Sequence, residues 1–447
     1  MINLEQNDIF TIPVGDEFSI EKESVFLIYA PLSNVFFLAL PEEVEHIATL
    51  IEKGEENEVT KALLSRKKIS ERNPYANGYS SSSTLYLLLN EKCNFHCRYC
   101  YSAGGRSKDE MTIEQIKTSL NYFLSKERNA PLVRTVMFVG GGEPTLSWDL
   151  VKQGTEYAES LASQNGIKLK MRLSTNGAIL NNEMLDFYKN HQFQVQYSFE
   201  VLKDIQELQR GSFDVVDRNL RRLLSEGIHC NIRSTITVEN VNRIEEMVEF
   251  CHQNYPSIDR LVCEPVVDVE YFTTTDLIND FQERYFASFK KALLLAIEYG
   301  LPLSSSNYGS VRALRERFCY NLLCVTPFGT LTTCPNVSSP KEENYEKVIV
   351  GRVKDDNISF DDEAYRRMTI PNIYTNEKCK ACWAKWNCGG GCPNQRMIYR
   401  EDIFDAICFH NKRMLKYYLL HELSMKYEKS TSRDMYIDIT NKLKARK

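Results

Sequence analysis

Between Thr84 and about Gly300, short apolar runs rich in β-branched and aromatic residues alternate with amphipathic stretches. The predicted strands are TLYLLL (84–89), VRTVMFV (133–139), IKLKMRL (167–173), FQVQYSF (193–199), IHCNIRSTITV (228–238) and SIDRLVCE (257–264). Between the first two, TIEQIKTSLNYFLSKE (112–127) sets Ile113, Ile116, Leu120 and Phe123 at helical spacing. Six strands alternating with helices predict an α/β domain with a parallel sheet, either open or closed into an incomplete barrel. Functional residues are then expected just after strand C-termini.

The flanks read differently. Before a polar, Gly- and Ser-rich break, NPYANGYSSSS (73–83), two strand-like runs, SVFLIYA (24–30) and NVFFLAL (34–40), are joined by a short turn. Two helical patterns follow, PEEVEHIATLIEK (41–53), with Pro at its start and acidic residues in its first turn, and ENEVTKALLSRKK (56–68). Residues 1–80 are therefore expected to form a separate α+β module. Beyond about residue 301 the periodicity fades while cysteines become dense, which predicts loops organised around metal, and CFHNKRMLKYYLLHELSMKYEK (408–429) returns to helix. The expected boundaries are 1–80, 81–300, 301–425 and a C-terminal tail, 426–447.

A formal charge of −5 offers no basic footprint for nucleic acid, and 43% hydrophobic with 26% charged residues is ordinary for a globular protein. The N-terminal MINLEQNDIF lacks a signal-peptide pattern, and no run of about 18 apolar residues occurs, so no membrane span and a cytoplasmic location are expected. In a reducing compartment, clustered cysteines point to metal or catalysis rather than to disulfides.

Cys93, Cys97 and Cys100 follow the first strand of the alternating region in CNFHCRYC, a C-x3-C-x2-C spacing that lets three thiolates converge. A [4Fe–4S] cubane takes four ligands, so three leave one iron open. Zinc completed by His96 is the competing reading, but His96 adjoins Cys97 and its ring points away from a site that Cys97 forms. GGGEPTL (140–146) follows the second strand, STNG (174–177) the third; QYSFE (196–200) lies in the fourth, with LQRGSF (208–213) after it. Eight more cysteines occur as Cys319, Cys324 and Cys334, then Cys379, Cys382, Cys388, Cys392 and Cys408. Spacing alone leaves zinc and iron–sulfur open for them. Cys230, Cys251 and Cys263 read as buried apolar thiols. Glu264 and Asp268, in CEPVVDVE, read as solvated loop carboxylates, so no general base is named.

CNFHCRYC resembles the signature of the radical SAM enzymes, and the C-terminal spacing resembles their SPASM extension. The resemblance implies a partial (β/α)6 TIM-like barrel with an N-terminal winged-helix-like module and a C-terminal SPASM iron–sulfur domain. It implies that Cys93, Cys97 and Cys100 hold a [4Fe–4S] cluster whose open iron binds S-adenosylmethionine. Tyr99, Gly141, Gly142, Glu143, Ser174, Asn176, Ser198 and Arg210 would contact that cofactor, with Gly141, Gly142 and Glu143 at its amino group. Two auxiliary [4Fe–4S] clusters would take Cys319, Cys324, Cys334 and Cys392, and Cys379, Cys382, Cys388 and Cys408. Glu200 and Val201 stand where relatives commonly have Asp and Gly. The implied activity is maturation of a ribosomally made peptide by a side-chain cross-link, thioether, ether or carbon–carbon, with formylglycine formation on a sulfatase as the alternative. The implied partners are a precursor peptide, whose leader the N-terminal module would bind, and a reductase such as flavodoxin or ferredoxin. A non-catalytic iron–sulfur electron carrier is the reading from a different class.

Overall fold

The computed structural model describes residues 4–65, 81–319, 322–369 and 372–445; of the polar break at 73–83, only the last three residues fall within it. All six expected strands form, as β4 (Thr84–Leu88), β5 (Val133–Val139), β6 (Lys168–Thr175), β7 (Gln194–Ser198), β8 (Cys230–Ile236) and β9 (Arg260–Pro265). They pair in parallel and in sequence order, and the two-residue β10 (Leu303–Ser304) extends the edge beyond β9. The alternating pattern has this outcome because each strand feeds a helix that packs back onto the sheet. The helix Ile113–Phe123 starts on a capping box, in which Thr112 Oγ1 accepts from Gln115 N at 3.2 Å while Thr112 N donates to Gln115 Oε1 at 2.8 Å.

The other side of β4 carries an extension absent from the sequence-based expectation. β11 (Leu323–Val325) pairs in parallel with β4, and β12 (Thr330–Thr332), β13 (Ile349–Lys354) and β14 (Asn357–Phe360) continue the sheet antiparallel. The result is a single sheet of eleven strands. Strands of three residues are too short to carry a period, so the region beyond 301 reads as loops although Cys324 lies on β11 and Cys334 just beyond the end of β12.

Alternation sorts each central strand into two faces. Met171, Leu173, Val195, Ile232 and Ile236 lie buried toward the helices. Their neighbours Arg172, Ser174, Gln196, Ser198, Arg233 and Thr235 line the concave side.

The N-terminal strands form as β2 (Phe26–Ala30) and β3 (Val35–Ala39), with an additional strand, β1 (Phe10–Pro13), in a three-stranded antiparallel sheet. Pro41–Lys53 and Glu58–Leu64 are the two helices. The sheet is not separate from the C-terminal region. Leu27 and Tyr29, on one face of β2, share a core with Trp386, Leu415 and Leu419, while Ile28 and Ala30 face the helical side with Ile47 and Leu63. The Tyr29 hydroxyl donates to Asn387 Oδ1 at 2.7 Å, and Lys385 pairs with Asp8 at 2.7 Å. The segment expected as a tail continues the helix Glu401–Thr431 and adds a second, Met435–Lys444. Met435 is fully buried in the same core, and Tyr436 packs on Phe18 at 5.2 Å. Among the described residues, no helix is long and apolar enough to cross a membrane.

Leu27→Ala is expected to cost ~2–5 kcal/mol, the usual range for truncating a buried leucine. Because Trp383 and Trp386 pack in that core, urea unfolding followed by tryptophan fluorescence should shift as one transition; an unshifted tryptophan signal would mean that the N-terminal sheet is an independent unit.

Candidate active site

The concave face of the sheet opens into a cavity of about 660 Å³. Cys93, Cys97 and Cys100 line it, together with the loop from Gly140 to Glu143 and the inward side chains of β6, β7 and β8. Burial raises the Cys97 thiol, the Arg210 guanidinium opposes that rise, and the charges of Cys100 and Cys93 add to it. The three sulfurs are thus grouped in space as well as in sequence. Arg106 reaches them too, donating from Nη2 to Cys100 Sγ at 3.1 Å and from Nη1 to the Gly141 carbonyl. His96 is exposed and does not line the cavity.

The Gly140–Glu143 loop is clasped by the segment that leads into the first cysteine. Gly142 N donates to Asn90 O at 2.9 Å and Glu143 N to Lys92 O at 2.6 Å. A Cβ on Gly142 would collide with the Lys92 carbonyl, and one on Gly141 with the Glu91 carboxylate. These glycines are required for loop-to-loop contact rather than, as expected from the sequence, for the approach of a ligand alone.

Glu143 is buried, and its carboxylate accepts four hydrogen bonds from the protein itself. Oε1 accepts from Thr145 N at 3.0 Å, Thr145 Oγ1 at 2.7 Å and Thr175 Oγ1 at 2.8 Å; Oε2 accepts from Asn176 N at 2.7 Å. Burial raises this carboxyl, and those same donors oppose the rise. The side chain thus braces two loops while lining the cavity. Asn176 is likewise committed: its Nδ2 donates to Asn94 Oδ1 at 2.7 Å and lies 4.0 Å from Cys93 Sγ. Ser174 Oγ accepts from Gln196 Nε2 at 3.3 Å, and Ser198 faces the cavity from the end of β7.

Tyr99, Arg210 and Glu200 form one network beneath Cys97. The Tyr99 hydroxyl donates to Glu200 Oε1 and accepts from Arg210 Nη1 at 2.8 Å, while Arg210 stands 3.9 Å from the same carboxylate. Ser234 Oγ at 2.6 Å and Thr235 N at 3.1 Å satisfy Glu200 Oε2. Burial raises the Glu200 carboxyl, opposed first by Arg210. The next residue, Val201, is fully buried with φ +67°, at the centre of a tight turn closed by Leu202 N on Glu200 O at 2.7 Å. A β-branched residue in the left-handed region is strained.

The C-terminal cysteines fall into two spatial groups. Cys319 acts on Cys324 and Cys334, and Cys392 on Cys319 and Cys334; a small cavity of about 20 Å³ lies among Cys319, Cys334 and Cys392. Cys408, Cys382 and Cys379 act on Cys388, and Cys379 and Cys382 on Cys408. These are the two sets that the resemblance implies. Burial pushes Cys319 and Cys388 up to about 12 and Cys408 up to about 11. Among the described residues, no group of three or more His, Cys, Asp or Glu side chains is drawn onto a single point as for one metal ion. Pairing of β11 with β4 sets Cys324 opposite Tyr86, whose ring lines the main cavity. The three glycines Gly389, Gly390 and Gly391 all have positive φ, so the turn that delivers Cys392 is open to glycine alone.

Cys230, Cys251 and Cys263 are fully buried in the main core. Glu264 lines the cavity but accepts from Ser306 N and Oγ, both at 2.8 Å; Asp268 is turned to its own loop, accepting from Glu270 N and Tyr271 N. Sequence reasoning missed Arg106, Arg172, Gln194, Asn231 and Arg233, which all line the cavity. The signal was present for those on strands: polar residues at every second position of β6, β7 and β8.

Residues 87–251 match the family model of the Radical SAM superfamily. Over 337 residues, 71% of this chain and 89% of the relative, the sequence is 21% identical to a cysteine-type anaerobic sulfatase-maturating enzyme of Clostridium novyi. Among solved structures, the fold is similar to native anSMEcpe with bound AdoMet and Kp18Cys peptide, with a TM-score of 0.59 at 16% identity over 80% of this chain and 99% of that one. It is also similar to Streptococcus suis SuiB bound to precursor peptide SuiA, with a TM-score of 0.53 at 17% identity over 88% of this chain and 98% of that one. Both structural matches are likenesses of fold.

Two stability predictions follow from the Tyr99–Arg210–Glu200 network. Arg210→Met strands a buried carboxylate and is expected to cost ~3–5 kcal/mol, whereas Tyr99→Phe removes one hydroxyl link and is expected to cost ~1–2 kcal/mol; urea titrations rank the two. At Val201, alanine keeps the strained Cβ and loses buried methyls, so Val201→Ala is expected to be less stable than Val201→Gly by about 1 kcal/mol, reversing the usual order of these substitutions. Equal midpoints would show that the turn relaxes without cost.

Proposed function

From the match of residues 87–251 to the Radical SAM superfamily model, we propose that the protein is a radical SAM peptide maturase. It takes a hydrogen atom from a residue of a ribosomally made precursor and installs a side-chain cross-link, with net loss of two hydrogens per linkage. In this reading Cys93, Cys97 and Cys100 hold a [4Fe–4S] cluster with one iron open to S-adenosylmethionine. That pair of groups, when bound, supplies one-electron cleavage to a 5′-deoxyadenosyl radical.

The chain's own residues set the stage for that chemistry. Arg106 holds Cys100 against the Gly141 carbonyl and so fixes the cysteine loop on the glycine loop. Glu143 and Asn176 lock the ends of β5 and β6 around Cys93. Ser198 is the polar group at the end of β7 that lines the cavity, which Tyr99 and Arg210, bound to each other, also line. The two cysteine quartets would hold auxiliary clusters that pass electrons, and their complete ligand sets leave no iron open to substrate.

The observation that carries this reading is the cavity. At about 660 Å³ it has room for a nucleoside cofactor together with a substrate side chain. It runs from the three-cysteine loop to Pro335, Asn336 and Asn394, the neighbours of Cys334 and Cys392. A substrate held there lies between the radical source and the first auxiliary site. The N-terminal sheet favours a peptide with a leader: among the described residues β3 pairs with β2 alone and has a half-exposed face, a suitable edge for an added strand. The likeness to SuiB also reaches across more of the chain than the likeness to anSMEcpe does.

Anaerobic reconstitution with a small peptide encoded beside the gene, read by tandem mass spectrometry, tests this directly. Loss of two hydrogens between two identified residues is the expected result; turnover of a sulfatase Cys or Ser peptide in its place would make the protein a formylglycine-forming enzyme. Cys97→Ala is expected to abolish 5′-deoxyadenosine formation and to remove about one third of the bound iron, one cluster of three. Deoxyadenosine formation that survives in that variant would overturn the assignment of S-adenosylmethionine cleavage to this cysteine loop.

A further inference from the structure

Four arginines line the main cavity, and two of them are already spent. Arg210 is bound to Tyr99 and Glu200, and Arg106 to Cys100 and the Gly141 carbonyl. The other two, Arg172 on β6 and Arg233 on β8, project from the floor of the cavity. Their register neighbours are uncharged: Met137 and Gln194 flank Arg172, and Ser198 and Val262 flank Arg233. β6 and β8 are separated by β7 alone, so both guanidiniums stand on the same concave face of neighbouring strands. Both side chains are exposed to its open space.

The carboxylates of the same cavity are engaged elsewhere. Glu143 has four donors of its own, Glu264 is held by Ser306, and Glu342 accepts from the backbone of Ser338 and Ser339. Glu343 is exposed. Among the described residues, neither Arg172 nor Arg233 stands in an ion pair or donates a hydrogen bond. Water solvates both charges while the cavity is open. An occupant that displaces this water must replace it with acceptors, because an unpaired charge in a dry site is strongly disfavoured.

We propose that Arg172 and Arg233 form an anion site for the substrate, and that the peptide segment entering the cavity presents a glutamate or aspartate carboxylate to them. Planar guanidiniums match carboxylates in a two-point geometry, which adds orientation to attraction. Such a contact would fix the acidic residue between the cysteine loop and Tyr86, so that a residue at a set distance along the peptide faces the cofactor. This inference rests on the peptide-maturase reading and narrows it to an acidic core sequence.

The test uses the reconstituted holoenzyme with S-adenosylmethionine and two synthetic probes, acetyl-Gly-Glu-Ala-Glu-Gly amide and its Gln counterpart, with affinities measured by anaerobic equilibrium dialysis. The expected result is that the Glu peptide binds at least about ten-fold more tightly, with the preference shrinking as salt is raised. In R172Q/R233Q the ratio should fall to within about two-fold, and in R172K/R233K, which keeps the charges, most of it should remain. If R172Q/R233Q does not fold, the wild-type ratio and the lysine variant still decide. Equal binding of both probes by the wild type, or a preference that survives R172Q/R233Q, overturns the proposal. Modification of the neighbouring-gene peptide despite equal probe binding would remove the anion site and leave the maturase reading standing. Binding of neither probe, with no peptide modified, would remove both.

Discussion

Four hydrogen bonds converge on the Glu143 carboxylate, and the geometry of the cysteine loop depends on them. The oxygens tie the turn after β5 to the end of β6, while the backbone of Gly142 and Glu143 is bound to the segment after β4. Three successive strand ends are thereby locked to one another, and Asn176 closes the circuit by returning to Asn94 and Cys93. Burying a carboxylate costs several kcal/mol unless its lone pairs are met, so each donor is necessary to the whole. A metal or cofactor bound by Cys93, Cys97 and Cys100 then meets a loop held in place in advance, and little ordering entropy is left to be lost on binding.

The second constraint is the chemistry of the sheet's two faces. A closed eight-stranded barrel fills its interior with layers of branched apolar side chains. Here the inward positions of β6, β7 and β8 are Arg, Ser, Gln, Asn and Thr, which cannot pack into a dry core. The sheet keeps its strands by burying the opposite face against helices, through residues such as Leu173, Val195 and Ile232. The interior stays open as a polar cavity, and the antiparallel extension from β11 to β14, on the far side of β4, brings the first cysteine quartet to its wall.

Most of this was legible in the chain wherever a pattern repeats. The six parallel strands showed themselves through length and β-branched content, and Val133–Val139 coincides with the expected run. The clustering of the C-terminal cysteines was legible in their spacing, while their division into two interlocking sets came from the family resemblance alone. What escaped had no periodic signature. β1 is four residues ending in proline, and β11 and β12 are three residues each. A GGGEP sequence does not show that its carboxylate also braces a neighbouring loop, because the donors Thr175 and Asn176 lie more than thirty residues on. Arg172 and Arg233 sat in runs that were read for strand content, although IKLKMRL carries the polar alternation of a wet inner face. Val201 stands where the resemblance expects glycine, and its positive φ is a conformation that glycine adopts without strain. Its burial beside Glu200 is what offsets that strain.

The N-terminal sheet alters how the C-terminal half has to be understood. Its β2 strand packs directly on Trp386 and on the helix Glu401–Thr431, and Trp383, Cys379 and Cys382 border the same core. The Tyr29–Asn387 hydrogen bond and the Lys385–Asp8 pair join the sheet to the short helix that ends at Cys388. Three of the four cysteines of the second quartet are therefore seated on, or one turn from, residues that touch the sheet. Cys408, the fourth, lies on the helix whose later turns carry Leu415 and Leu419 into that core. A small cysteine-rich segment has little apolar surface with which to fold alone. The sheet supplies it, so anything that docks on the edge strand β3 bears on the same body that positions the second set of thiols.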